Sequence, residues 1–228
     1  MPLRGTAFLA IWHDIEPHGE LEYNAWHTRE HMPERVGIPG FEAGRRFVDW
    51  SRDRHRYFTL YETRTIAALG SDAYRARLDA PSAWTHRVQP SFTNFVRAAC
   101  RTVVSEGRGT GGALATIRID FGGAVDRSAF ETACGVLAAD ALSRHGITGV
   151  HVGVADPAVT DTPTTESALR ELTGEDVFDA AVLVEGIGRR ELAEALPAVE
   201  QSLAPAIGGA ATAAAVYDLA YSLTAEEV

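Results

Sequence analysis

The sequence predicts an α+β protein made of two ferredoxin-like units in tandem. Three observations support this prediction: the chain length, an internal repeat, and the same order of strands and helices in each half. The chain has 228 residues, and domains commonly hold about 100–150 residues, so two units fit. The hydrophobic fraction of 46% and the charged fraction of 23% are those of a globular protein with a core.

The repeat appears when the two halves are aligned at a fixed offset. Residues 37–44 (GIPGFEAG) match residues 146–153 (GITGVHVG), and residues 57–62 resemble residues 180–185 after an insertion near 156–171. Because the period is far longer than that of a solenoid, the repeat indicates a duplicated domain.

Glycine and small polar residues dominate the segment between the two copies, SEGRGTGG at 105–112. This composition is typical of a linker or a tight crossover. We therefore predict a first unit over 1–104, a linker over 105–112 and a second, diverged unit over 113–228.

Each copy has the order strand, helix, strand, strand, helix, strand. In the first copy the predicted strands are 6–12, 41–50, 57–63 and 91–104, and the helices are 21–36, 65–78 and 82–91. In the second copy the strands are near 113–121, 147–155, 179–186 and 209–222, and the helices near 126–144 and 189–204. This βαββαβ order defines a ferredoxin-like unit. Helices on one face of such a sheet leave its other face to pack against a second sheet.

Charge and hydropathy narrow the class of partner. The formal net charge of −10 argues against nucleic acid or an anionic membrane. No apolar stretch reaches the ~20 residues of a membrane helix, and the apolar opening run is broken by His13 and Asp14. We expect a cytoplasmic protein with reduced thiols.

Cys100 and Cys134 have no CxxC spacing, so we interpret both as small buried hydrophobes.

The motifs of the first copy resemble the EthD-like branch of the dimeric α+β barrel superfamily. They are NAWHTREHMPERVGIPGF (24–41), RRF (45–47), YFTLYE (57–62) and PSAWTHRV (81–88); TPTTESALR (162–170) looks like a feature of two-copy proteins of this kind. The resemblance implies a barrel-type fold in which two ferredoxin-like sheets pack face to face. Relatives include muconolactone-type isomerases, polyketide cyclases, quinol-type monooxygenases, haem-degrading enzymes and haem peroxidases, so the resemblance implies a function only as a class.

Two histidines of the first predicted helix are the leading catalytic candidates. His27 and His31 are spaced i, i+4 and are neighbours on the helix surface. His31 borders an apolar stripe that includes Leu21 and Met32, whereas His27 lies further round, so His31 is the better candidate to face a cavity. The second copy has valine and aspartate at the equivalent positions. Histidine suits proton transfer and also haem or metal ligation.

Tyr61 and Arg46 are the candidates for holding a developing negative oxygen. Tyr61 lies mid-strand and shares a face with Tyr57 and Thr59. A tyrosine hydroxyl or an inward-facing guanidinium in an apolar site stabilises an oxyanion. A core tyrosine with a satisfied hydroxyl and an arginine in a salt bridge to a nearby acid are the alternative interpretations.

Substrate contacts are predicted for Trp84, Tyr74, Arg45 and Trp26. The aromatic residues could wall a pocket for a flat apolar molecule, and Arg45 could bind a carboxylate. Trp26 and Tyr23 point away from the proposed apolar stripe, so we expect them to be exposed and to offer a homodimer contact.

These residues predict an enzyme that moves a proton on a small apolar, aromatic or polyketide-like molecule without a cofactor. Isomerase, cyclase, lyase and cofactor-free monooxygenase reactions all share this enolate chemistry. A haem- or metal-dependent oxygenase or peroxidase, with His31 or His27 as ligand, and a non-catalytic ligand-binding or stress protein remain open. The string HTREH at 27–31 also fits the H-x-x-E-H zinc pattern, with Glu106 as a distant third ligand.

Overall fold

A computed structural model of the chain describes residues 2–122, 127–160, 163–170, 178–208 and 210–228. Thr162 of the TPTTESALR motif lies outside the described residues, as do the predicted element ends at 126 and 209 and the end of the predicted insertion at 171.

The described residues form eight strands and eight α-helical segments. The strands are β1 (Ala7–Ile15), β2 (Phe41–Val48), β3 (Tyr57–Thr63), β4 (Phe92–Gly107), β5 (Ala113–Asp120), β6 (Ile147–Ala155), β7 (Ala180–Gly186) and β8 (Ala211–Thr224). The helices are α1 (Glu20–Trp26), α2 (Met32–Val36), α3 (Asp72–Asp79), α4 (Ala83–Val88), α5 (Arg127–Leu142), α6 (Pro157–Thr160), α7 (Thr165–Ala168) and α8 (Arg189–Ile207). A π-helical turn, His27–His31, joins α1 to α2, and short 3-10 turns lie at Pro17–Gly19, Ile66–Gly70, Gln89–Ser91 and Ala225–Glu227.

The chain divides into two compact units. Among the described residues, the first unit contains Arg4–Ala99, 156–160, 163–170 and Ala220–Val228, and the second contains 2–3, 100–122, 127–155, 178–208 and 210–219. The segment after β6 therefore packs with the first unit, although it follows the second copy in sequence. Local contacts explain this placement: the Thr160 hydroxyl accepts from the Ala99 N–H, and the Thr165 N–H donates to Asp79.

In the first unit, β3 pairs antiparallel with β1 on one side and with β2 on the other. In the second unit, the antiparallel order is β4, β6, β7, β5, β8. Helices α5 and α8 cover that sheet with an apolar core that includes Phe130, Leu137 and Val199. Cys100 and Cys134 are buried free thiols, as predicted. Among the described residues, no helix combines the length and the apolar character needed to cross a membrane.

Two local predictions are corrected. The predicted linker 105–112 begins too early, because Ser105–Gly107 continue β4 and pair with β6. Leu21 does not belong to the buried stripe of the first helix: it is 90% exposed, whereas Tyr23 and Trp26 are 0% exposed. The helix buries its aromatic and histidine face, because those large rings cover more apolar area than one leucine.

Candidate functional site

A small cavity lies inside the first unit, between one face of its sheet and the helical segment α1–α2. The space open to the centre of a water molecule is about 40 Å³. Strands β1 and β3 contribute His13, Thr59 and Tyr61, and the first part of β4, which belongs to this unit, contributes Arg97. The helical segment contributes His27, His31 and Arg35, and the remaining polar wall contains Tyr74, Gln89, Glu166 and Arg170. Apolar side chains, among them Leu9, Ile11, Leu78 and Phe95, complete the lining.

Strand register explains which sheet residues reach this cavity. Tyr61 is paired with Leu9 on β1, and Thr59 with Ile11. Tyr57, Thr59 and Tyr61 alternate with buried residues of the opposite face, as the strand period of two predicts. On β2 the residue opposite Tyr61 is Gly44, where an added Cβ would lie 2.0 Å from the Met32 Sδ. Glycine at this position therefore lets the helix pack closely on the sheet.

The π-helical turn brings both catalytic candidates to the cavity. The Met32 N–H donates to the His27 carbonyl five residues back instead of four. Pro33 follows at once; it has no N–H and its ring crowds the carbonyl four residues before it, so the helix widens here. In a wider turn, residues spaced i, i+4 lie closer to the same direction from the helix axis. His27 and His31 consequently both line the cavity, with ring centroids 5.4 Å apart.

Both imidazoles are neutral near pH 7. Burial lowers the pKa of His27 well below its ordinary value, and the nearby Arg46 guanidinium lowers it further. Burial likewise lowers the pKa of His31, with Arg35 adding to the effect. In each ring Nδ1 is buried and has no hydrogen-bond partner among the described residues. Each ring therefore has an uncommitted nitrogen, while the cationic surroundings oppose its protonation when the cavity is empty.

His13, which the sequence analysis did not propose as a site residue, is a third histidine of the cavity. Its Nε2 lies 3.1 Å from the Tyr23 hydroxyl, and its ring stacks on Tyr57 with centroids 5.3 Å apart. Burial lowers the pKa of His13 to about 3. Alternation along β1 could have indicated its orientation, because it lies two residues beyond Ile11 on the same face.

Tyr61 presents a buried hydroxyl with no partner among the described residues. Burial raises the pKa of Tyr61, so its proton stays in place and the hydroxyl can donate a hydrogen bond. Tyr74 lines the same cavity and packs on Phe41, with ring centroids 5.1 Å apart.

A charged and polar chain forms the opposite wall. Arg35 pairs with Glu166 and lies 3.0 Å from Glu34. The Gln89 amide donates to the second Glu166 oxygen at 3.2 Å and accepts from Arg170 at 2.9 Å. The Arg170 guanidinium lies 4.2 Å from the centre of the Phe95 ring. Glu166 and Arg170 belong to the TPTTESALR motif, so that resemblance was the signal that could have identified them.

The two predicted arginines of β2 do not line the cavity. Arg46 donates to the Thr28 hydroxyl at 3.1 Å and lies over the Tyr23 ring, from where it acts on His27 through charge. Arg45 lies on the opposite face of the sheet, where it forms a buried ion pair with Glu62 at 2.9 Å. The salt bridge considered as the alternative is therefore the observed arrangement for Arg45.

The two tryptophans also pack outside the cavity lining. Trp26 packs against His31 with ring centroids 4.2 Å apart and ring planes tilted by 33°, and its Nε1 donates to the Thr85 hydroxyl at 3.2 Å. Trp84 is half-buried against the aromatic cluster around Trp26 and Tyr23. The prediction that Trp26 and Tyr23 are exposed is wrong, and this removes the ground on which a homodimer was expected.

The zinc and haem alternatives were compared with these residues. Glu30 accepts from the Ser82 hydroxyl and does not line the cavity. The described residues contain no group of three or more His, Cys, Asp or Glu side chains placed to hold a metal ion. The lining leaves only about 40 Å³ open to the centre of a water molecule, so a porphyrin would enter this cavity only if its walls moved apart.

Comparisons with known proteins show the fold. No family model matches the chain. No curated protein sequence matches it either. The structure is similar to an anthrone oxidase-like protein, with a TM-score of 0.62 and 10% identity over 98% of this chain and 94% of the other. A candidate monooxygenase from Fusobacterium nucleatum matches with a TM-score of 0.62 and 9% identity, covering 96% and 95% of the two chains.

A variant of chlorite dismutase from Candidatus Nitrospira defluvii matches with a TM-score of 0.55 and 9% identity over 96% of this chain and 92% of the other. The predicted fold class is thereby confirmed: an α+β protein with antiparallel sheets from two ferredoxin-like units, of the dimeric α+β barrel type. At these identities the likeness extends to the fold alone, and the EthD-like branch stays a prediction.

Proposed function

We propose that this protein is a small-molecule enzyme that works without an organic cofactor. It removes a proton from an acidic C–H or O–H group of the substrate, and the resulting anion then reacts with O₂. One observation carries the proposal: the Nδ1 atoms of two neutral histidines and the Tyr61 hydroxyl line the same cavity, and none of the three has a hydrogen-bond partner among the described residues. A base and a hydrogen-bond donor placed around one small space are what proton abstraction next to an oxygen requires.

In the proposed reaction the histidines and Tyr61 have different roles. His27 or His31 accepts the substrate proton, and the electron pair stays on the substrate as an enolate or phenolate. Tyr61 donates a hydrogen bond to the negative oxygen. The empty cavity disfavours an imidazolium, but the new anion attracts it, so the histidine pKa rises when the proton is transferred. A base that is weak at rest thus becomes adequate in the complex.

Oxygenation is the favoured outcome because the structural neighbours include candidate monooxygenases and an anthrone oxidase-like protein. For a CH₂ group beside an enolisable carbonyl, the carbanion forms a C–O bond with O₂ and the peroxide takes the proton back from the imidazolium. Removal of the second C–H proton then breaks the O–O bond and releases water, which leaves a ketone. One O₂ is consumed and one water is formed for each CH₂ oxidised.

Oxygen uptake tests the proposal. The purified protein, with a metal chelator present, would be given one-ring enols and phenols while O₂ uptake and the exchange of the acidic proton with water are followed. We expect uptake that falls about 100-fold or more when both His27 and His31 are replaced by glutamine. His86→Gln, at an exposed histidine of α4, is the matched control. Proton exchange without O₂ uptake would instead favour an isomerase or cyclase, and full activity in the double variant would refute the assignment.

A further inference from the structure

One cation of the cavity has no counterion among the residues that the structure describes. Arg97 on β4 lines the cavity and is half-buried. Its Nε is buried without a hydrogen-bond partner, and no ion pair holds its guanidinium within the described part of the chain. A buried guanidinium nitrogen left unbonded is costly, and native structures normally satisfy such groups.

The other charged groups of the cavity are already engaged. Glu166, the one carboxylate among the described lining residues, binds Arg35 through one oxygen and Gln89 through the other. Arg170 is bonded to Gln89 and stacks over Phe95. The carboxylate that would complete the bonding of Arg97 is therefore not supplied by the described lining residues.

We propose that the substrate supplies it: Arg97 binds a carboxylate of the substrate, which is a small apolar acid. The guanidinium fork matches a planar carboxylate with two parallel hydrogen bonds, and the partly buried setting strengthens the attraction. Leu9, Ile11 and Leu78 provide apolar contacts for the body of the molecule. The inference names the substrate class of the proposed site and rests on that proposal, but its test needs no turnover.

Binding of inert acids and their amides tests the inference. Acetate, propionate and benzoate would be titrated by ligand-observed NMR against acetamide, propionamide and benzamide, which have nearly the same shape and no charge. A hydrogen bond to a charged group changes affinity by about ten- to a hundredfold, so we expect at least one acid to bind that much more tightly than its amide. Equal affinities across the panel would overturn the inference in the unaltered protein, whatever the variants do.

Variants then assign the preference to one residue. Arg97→Met should abolish the acid-to-amide ratio, and Arg97→Lys should keep part of it, because lysine keeps the charge without the fork. Arg75→Met is the matched control, since Arg75 lies exposed on α3 of the same unit. A preference that survives Arg97→Met would overturn the assignment. Acid binding through Arg97 without O₂ uptake would leave this inference standing and remove the proposed reaction.

Discussion

Acidification should destabilise this protein more steeply than its carboxylates alone require, because three histidines are buried neutral. Burial lowers the pKa values of His13, His27 and His31 in the folded state. Protonation therefore favours the unfolded chain: the stabilisation is complete above the unfolded pKa of about 6.5 and is lost as pH falls below it. At about pH 5.5 each histidine lowers the free energy of unfolding by about 1.4 kcal/mol relative to about pH 8, or by about 4 kcal/mol for the three together.

Urea unfolding at a series of pH values between about 8 and 5.5 measures this slope. Single replacements of His13, His27 or His31 by glutamine should each remove about a third of the excess slope, while His86→Gln should leave it unchanged. Histidine Cε1–H resonances give an independent reading in the folded protein. Cavity imidazoles that titrate near their ordinary value, or single variants with the slope of the unaltered protein, would refute the reasoning.

Three further predictions concern packing, the oxyanion donor and cofactor binding. Gly44→Ala should lower the free energy of unfolding by about 1–3 kcal/mol, because the new Cβ meets the Met32 Sδ. Gly135→Ala is the control and should not destabilise the protein, because the space around Gly135 is open. Similar losses of stability in both variants would contradict the packing account. Tyr61→Phe should reduce turnover about 10²–10³-fold, because the hydrogen bond to the negative oxygen is lost. The urea midpoint should change little, since the hydroxyl has no hydrogen-bond partner in the described residues. Unchanged turnover would remove Tyr61 from the mechanism. Haem added to the purified protein should give no stoichiometric Soret band, because a porphyrin would enter the cavity only if its walls moved apart; a band lost in the double histidine variant would restore the haem hypothesis.

Hydrophobic periodicity was sufficient to predict the strands and helices, but it did not predict the buried face of each one correctly. Tyr57, Thr59 and Tyr61 were correctly placed on one face of β3, because a strand alternates strictly. The buried face of the first helix was predicted only in part: Met32 and Val36 are buried as predicted, but Leu21 is exposed. Trp26 and Tyr23, which were expected at the surface, are buried. The prediction used the regular helical turn of 100° per residue up to Val36, whereas the turn before Pro33 is wider.

The amino-acid sequence by itself determined the duplicated ferredoxin-like architecture, because the order of elements and the repeat are visible in the two halves. Comparing the halves also indicated the first copy as the one with the site, because His27 and His31 have no histidine at the equivalent positions of the second copy. It also indicated His27, His31, Tyr61 and Tyr74, all of which line one cavity. Only the tertiary structure decided that Arg45 and Arg46 lie outside the cavity lining and that Arg97 and Glu166 line the same cavity as His27 and His31. Those relations depend on strand register, on a widened helical turn and on a segment distant in sequence, and none of these is encoded in the spacing of neighbouring residues.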